Sequence, residues 1–290
     1  MEYRQLGKTG LKVSVIGIGT EHLRKVSVEE ITRIFRLALR EGINYIDLVW
    51  SLPNITDGLS EAIERETIKP IIALHLGSCI SNGKYKRSRN PVECEKHLRA
   101  LLDLFNMDSA PVLNIHYVAN LKVWKEINRK GIFSLAKKLK EQRLAEAISV
   151  STHEPEVIML ATESGVDSIM HQVSVANHMY TARDEALRKC SKLGVGVVAM
   201  KPFVGGELLR AGQKVRIAAY KTGWKTMTVH VPAGSTSTKL LSYTLSQPSV
   251  CTAVTGVSSL RELVATLTYL KASNNEKDYS QIIESLERDE

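Results

Sequence analysis

Short runs rich in Val, Ile and Ala recur eight times along the chain, each followed by a stretch with helical spacing of its apolar residues, and this alternation is the strongest constraint on the fold. Apolar runs without strict alternation suit strands covered on both faces, as in a parallel sheet. Strands are expected at residues 13–19, 44–49, 70–77, 111–118, 145–151, 168–174, 196–201 and 251–257. Helices are expected at 28–40, 91–105, 121–142, 154–163, 182–193, 237–246 and 260–272, with a shorter one at 59–64. Parallel strands need right-handed crossovers, and eight βα units in succession have few compact solutions besides a closed (β/α)8 TIM barrel. The turn sequence GKTG at residues 7–10 predicts a short N-terminal β-hairpin ahead of it. No segment is low-complexity, so residues 1–290 read as a single barrel domain, close to the roughly 250 residues typical of one.

Composition narrows the class of function. The chain carries 39 Lys and Arg against 31 Asp and Glu, a net charge of +8, with an ordinary hydrophobic content of 43%. Its basic residues are dispersed apart from KYKRSR at 84–89, which argues against a nucleic-acid partner; that run reads as a solvated loop or as one that meets a phosphate-bearing ligand. Apolar runs are too short to span a membrane, and the charged start MEYRQLGKTG does not resemble a signal peptide, so a cytoplasmic protein without a membrane partner is expected. Cys79, Cys94, Cys190 and Cys251 lie far apart with no CxxC, the pattern of buried reduced thiols rather than of a metal site.

In a (β/α)8 barrel the active site is built at the carboxyl ends of the strands. Here those ends carry Gly19 and Thr20, Asp47, His75, His116, Ser151 with Thr152 and His153, Gln172, Lys201, and Gly256 with Ser258. One polar residue at a barrel rim needs only solvent to explain it. Asp, two His, Gln and Lys converging on one rim point to a site. Trp50 reads as a wall of that pocket, whereas Tyr117, next to His116 on a strand, is expected to alternate outward.

The segments YRQLGKTGLKVSVIGIGT, NYIDL, LNIHYV, AMKPFVGGEL and SQPSVCTAVTGVSSLREL resemble, in order and over nearly the whole chain, those of the aldo/keto reductases. EHL, GINYIDL and EKDYS resemble the branch of that family in which a cysteine-rich ferredoxin-like tail follows the barrel. The resemblance implies a TIM-barrel oxidoreductase that uses a nicotinamide cofactor on a small carbonyl or alcohol substrate. The chain stops at Glu290, about where such a tail would begin, so neither an iron–sulfur cluster nor another metal is expected.

The family's tetrad of Asp, Tyr, Lys and His carries over only in part. Asp47 and His116 match, but Leu52 stands where the Tyr would be and His75 where the Lys would be. The usual device is a phenol, its pKa lowered by a neighbouring ammonium, that protonates the carbonyl oxygen. Without both groups an altered proton donor is expected: His116 as imidazolium, His75 as its partner, Asp47 orienting them, with slow turnover that declines as pH rises through the histidine pKa. Two alternatives keep the barrel, namely a non-redox lyase or isomerase run by His75 and His116, and a non-catalytic ligand-binding barrel.

By the same resemblance Ser151, Thr152 and Gln172 would hold the nicotinamide amide, and Lys201 and Pro202 would lie beside the ring or a phosphate. Gly205, followed by Gly206, lets the backbone approach a pyrophosphate. Gly256 leads to Ser258, Ser259 and Arg261 at a helix start, a favourable place for the 2′-phosphate of NADP(H), which is the expected cofactor with NAD(H) as the alternative. Ala265 and Thr266 remove hydrogen bonds that the family makes to adenine. Lys84, Lys86, Arg87 and Arg89 after strand three, with Arg210, Lys214, Arg216, Lys221 and Lys225 after strand seven, imply attraction of an anionic cofactor and an anionic substrate.

Overall fold

The computed structural model describes every residue except 65, 67–68, 211–213, 219–225, 233 and 289–290, with the backbone alone at 214–218, 226–230 and 287–288. Eight strands, β1 (Ile16–Gly19), β2 (Tyr45–Leu48), β3 (Ile71–Leu76), β4 (Ala110–Ile115), β5 (Ala145–Thr152), β6 (Ser168–Gln172), β7 (Gly196–Met200) and β8 (Val250–Gly256), pair in chain order. Each is parallel to the next and β8 returns to β1, closing the expected TIM barrel. Around it run α1 (Val28–Arg40), α2 (Pro53–Ile63), α3 (Pro91–Leu104), α4 (Leu121–Arg129), α5 (Ile132–Glu141), α6 (Pro155–Glu163), α7 (Thr181–Leu193), α8 (Ser237–Ser246) and α9 (Leu260–Leu267). The tail adds α10 (Asn274–Lys277) and α11 (Ser280–Arg288), whose Ile282 and Leu286 bury against the outside of the barrel.

Two elements differ from expectation for local reasons. The helix expected over 121–142 is broken in two by Gly131, whose φ of 80° is left-handed. The short helix expected at 59–64 is α2, which starts earlier because Pro53 occupies its first turn, where a missing N–H costs nothing. Among the described residues no helix is long and apolar enough to cross a membrane.

Successive strand residues point to opposite faces, so every barrel strand feeds two cores. Outward residues such as Ile46, Leu48, Leu74, Ile115 and Val150 pack with helix residues such as Ile34, Phe35 and Leu98. Inward residues Tyr45, Ala73, Val112, Met170 and Val198 fill the barrel bottom together with Leu6 and Val13. The last two come from the N-terminal hairpin Tyr3–Gln5 with Lys12–Ser14, which seals the floor. Two residues further along β2, β3, β4 and β6 the inward side chains become Asp47, His75, Asn114 and Gln172.

Two antiparallel pairs stand beyond the strand ends. Lys214–Ala218 pairs with Thr226–His230 after β7; the side chains of Lys214 and Arg216, and all of Lys221 and Lys225, lie outside the described residues. After β3, Ser78–Ser81 pairs with Lys84–Arg87 across Asn82 (φ 50°) and Gly83 (φ 70°). This replaces the solvated loop expected there, since left-handed φ at both turn residues gives the twist a tight hairpin needs.

Gly7 and Gly131 separate backbone strain from crowding. At Gly131 the nearest atom to an added Cβ is Pro91 Cγ at 3.9 Å, so Gly131→Ala should cost only the left-handed conformation, about 1–2 kcal/mol. At Gly7 (φ 54°) the Cβ would stand 2.4 Å from the Gly196 backbone N, and Gly7→Ala should cost about twice as much or more. Urea midpoints of the two variants measure this; equal shifts would show that the hairpin moves aside freely.

Candidate active site

Adjacent strand ends bring three expected residues into one buried chain. His75 Nε2 lies 2.7 Å from Asp47 Oδ1, and His75 Nδ1 lies 3.1 Å from His116 Nδ1. All three are at most 5% exposed. A carboxylate only accepts, so His75 donates from Nε2 to Asp47, leaving its Nδ1 to accept the N–H of His116 Nδ1. Asn114 Nδ2 lies 3.3 Å from the same Nε2 while its own Oδ1 has no partner; turned over, the amide would offer Oδ1 to that N–H.

His116 Nε2, the open end of this chain, is 2.8 Å from the Tyr85 hydroxyl. Sequence reasoning missed Tyr85. The hairpin delivers it by the two-residue period: Tyr85 and Arg87 face the cleft while Lys84 and Lys86 are exposed. The hairpin is tied down at both ends, by Ser78 Oγ donating to Val49 O at 2.5 Å and by Lys86 and Ser88 donating to Glu93 at 2.7 and 2.6 Å. The ring of Trp50 stands 5.7 Å from that of Tyr85, with the Arg24 guanidinium 4.3 Å from the Trp50 ring centre, so Trp50 is the expected wall. Leu52 packs instead with the outer core at the start of α2.

Burial, the neighbouring His75 and the guanidinium groups of Arg89 and Arg87 hold the His116 pKa well below the usual histidine range. This corrects the expectation of a His116 imidazolium donor. Tyr117 is corrected too: its φ of 43° turns it out of the strand path and into the cleft wall, under the Arg87 guanidinium at 4.4 Å. Arg89 donates to Tyr117 O at 3.0 Å, and Lys84 and Lys86 point to solvent, so Arg87 is the hairpin cation that lines the cleft.

The cleft, about 890 Å³, opens at the carboxyl end of the barrel and is lined by Ser151, Gln172, Lys201, Pro202, Gly205, Gly256 and Ser258. Thr152 and Arg261 do not line it. Thr152 is fully buried, its hydroxyl donating to Val118 O at 2.6 Å and accepting the Glu154 N–H at 3.0 Å. Arg261 is exposed; one residue on, Glu262 lines the cleft and accepts from both N–H and hydroxyl of Ser258, at 2.6 and 2.9 Å. Gln172 Nε2 is buried with no partner among the described residues. After β7, Lys201, Val204, Gly205 and Gly206 all have left-handed φ, and nothing lies within 4 Å of where a Cβ on either glycine would be.

The chain belongs to the Aldo/keto reductase family, an oxidoreductase family whose profile matches residues 15–287. It is 24% identical to an L-galactose dehydrogenase of Arabidopsis thaliana over 306 aligned positions, covering 99% of this chain and 94% of that one. It is 27% identical to the uncharacterized oxidoreductase YrpG of Bacillus subtilis (strain 168), over 72% of this chain and 68% of that protein. In fold it is similar to the holo form of the aldo-keto reductase AKR11C1 from Bacillus halodurans, with a TM-score of 0.75 at 20% identity over 99% and 96% of the two chains.

Buried neutral histidines make an acid-sensitive fold. His171, fully buried on β6 with Nδ1 2.9 Å from Thr152 O, has its pKa pushed down to about 4 by burial, and His116 is lowered by burial as well. Below about pH 6.5 the unfolded chain takes up protons that the folded chain refuses, so His171 should remove about 1.4 kcal/mol of stability per pH unit, or about 2 kcal/mol by pH 5, and His116 acts in the same direction. Urea unfolding at pH 7 and pH 5 measures the slope, which His171→Gln should reduce. No loss of stability between those pH values would mean that these histidines protonate within the fold.

Proposed function

We propose that this protein is a nicotinamide-nucleotide-dependent oxidoreductase that interconverts a small alcohol and its carbonyl at the mouth of the barrel. The observation that carries the reading is the coincidence, in one cleft of a family member, of a buried proton-handling chain, Asp47–His75–His116, with a buried partnerless donor, Gln172 Nε2. An unpaired buried amide costs about 1–3 kcal/mol, which a bound carboxamide would recover. Ser151, Gln172, Lys201, Pro202 and Gly205 would hold the nucleotide, which supplies or removes a hydride at the substrate carbon. Arg87 at the rim favours an anionic substrate.

Saturable quenching of protein fluorescence by reduced nicotinamide nucleotide tests the reading. No saturation by about millimolar nucleotide would return the barrel to a lyase, an isomerase or a non-catalytic binder.

The rim of β8 favours NAD(H) over the NADP(H) expected from the sequence. The donors of Ser258 are already taken by the Glu262 carboxylate, which would repel a 2′-phosphate, and Arg261 lies outside the cleft. Glu262→Gln keeps an acceptor for Ser258 and removes the charge. It should tighten NADPH by about fivefold, the ceiling for an exposed charge pair, and leave NADH within twofold. Arg261→Ala should leave both unchanged, and a selective loss of NADPH in that variant would restore the phosphate site at Arg261.

A further inference from the structure

We infer that Tyr85 is the acid–base residue that touches the substrate oxygen, a role supplied by the hairpin after β3 rather than by the barrel strands. The inference rests on the proposed oxidoreductase function. Its geometric basis is the single direction imposed on the chain: Asp47 fixes His75, His75 fixes the His116 tautomer with its N–H on Nδ1, and His116 Nε2 is therefore an acceptor facing the Tyr85 hydroxyl at 2.8 Å. Tyr85 is half-buried and lines the cleft, whereas His116 is 5% exposed and its Nε2 is covered by that hydroxyl. Every ring nitrogen of the two histidines is thus engaged, and of the four residues, all of which line the cleft, Tyr85 is the most exposed.

In alcohol oxidation the substrate O–H bond breaks as Tyr85 Oη takes that proton, while the phenol's own proton passes to His116 Nε2. Bound oxidised nicotinamide would accept the hydrogen of the carbon with both bonding electrons, and a C=O bond would remain. Reduction runs the same transfers backwards after the Asp47–His75–His116 chain has taken up a proton from solvent, with Tyr85 giving its proton to the carbonyl oxygen and recovering that one from His116. The phenol stays neutral overall, because Asp47 and His75 share the charge that His116 receives. His75 and Asp47 are positioning residues for this step.

The test compares wild type, Tyr85→Phe and Ser81→Ala, the last an exposed change on the same hairpin. In the nucleotide-free protein, Tyr85→Phe should shift the ¹⁵N resonance of His116 Nε2 by removing its donor, and Ser81→Ala should not. With nucleotide and a panel of aldehydes, ketones, sugars and alcohols, Tyr85→Phe should lower kcat by about 10²–10⁴-fold and leave nucleotide affinity unchanged. The wild-type solvent deuterium effect on kcat should disappear from the residual rate.

An unmoved His116 resonance, or a Tyr85→Phe rate within about threefold of wild type, overturns the inference and leaves the oxidoreductase reading standing. Nucleotide binding without turnover of any panel member by wild type also overturns the Tyr85 role. Absence of saturable nucleotide binding overturns the oxidoreductase reading itself, and the inference with it.

Discussion

A carboxylate held at 3% exposure inside a barrel is tolerable only with a donor aimed at it, and Asp47 obtains that donor from His75. An unpaired ion there would cost several kcal/mol, so the pair constrains everything around it. It sets the tautomer of His75, then that of His116, and so fixes which atom of His116 is left to accept from the cleft side. A permutation of the same side chains with the carboxylate elsewhere would give a chain of undefined direction.

The barrel makes this order rigid. Inward positions of the lower layers are closed by Leu6, Val13, Tyr45 and Met170, so the inward carboxylate and histidines stand at the upper end, on strands locked to their neighbours on both sides. Asp47, His75 and His116 stand at the ends of consecutive strands, and their spacing follows from strand pairing rather than from loop conformation. Loops supply the variable wall. Trp50, Tyr85 and Arg87 come from segments outside the barrel, yet Ser78, Lys86 and Ser88 fasten the hairpin firmly enough to bring a phenol to His116.

The barrel and its strand ends were legible because they depend on periodicity, which a sequence carries openly. The rest depended on signals that point sideways. Asn82-Gly83 between SCIS and KYKR is a strong hairpin signature, and reading 84–89 as charge alone concealed it; once the hairpin is recognised, the period of two separates Tyr85 and Arg87 from Lys84 and Lys86. A second feature draws attention away from Tyr85, since the resemblance places the family's phenol at Leu52. Glu262 was also within reach. Ser259 and Glu262 have the S-x-x-E spacing that turns a glutamate back over the start of its helix, which is what α9 shows, although the carboxylate reaches Ser258 rather than the cap residue's own N–H. The break at Gly131 and the inward turn of Tyr117 involve left-handed φ, and only the first sits on a glycine that could have announced it.

Replacing the family's lysine by His75 also moves the site's positive charge. An ammonium at that depth would have to be desolvated beside Asp47, whereas a neutral imidazole satisfies the same carboxylate with one N–H. The cations of this site stand instead at the rim: Arg87 remains exposed above the cleft, and Arg89 is tied to the Tyr117 carbonyl. Both add, through space, to the burial and the neighbouring His75 that lower the pKa of His116. They arrive on the same stretch of chain as Tyr85, so phenol and positive field are positioned by one anchored hairpin and its exit. The mouth of the barrel therefore carries a positive field from its hairpin without placing an ammonium against Asp47.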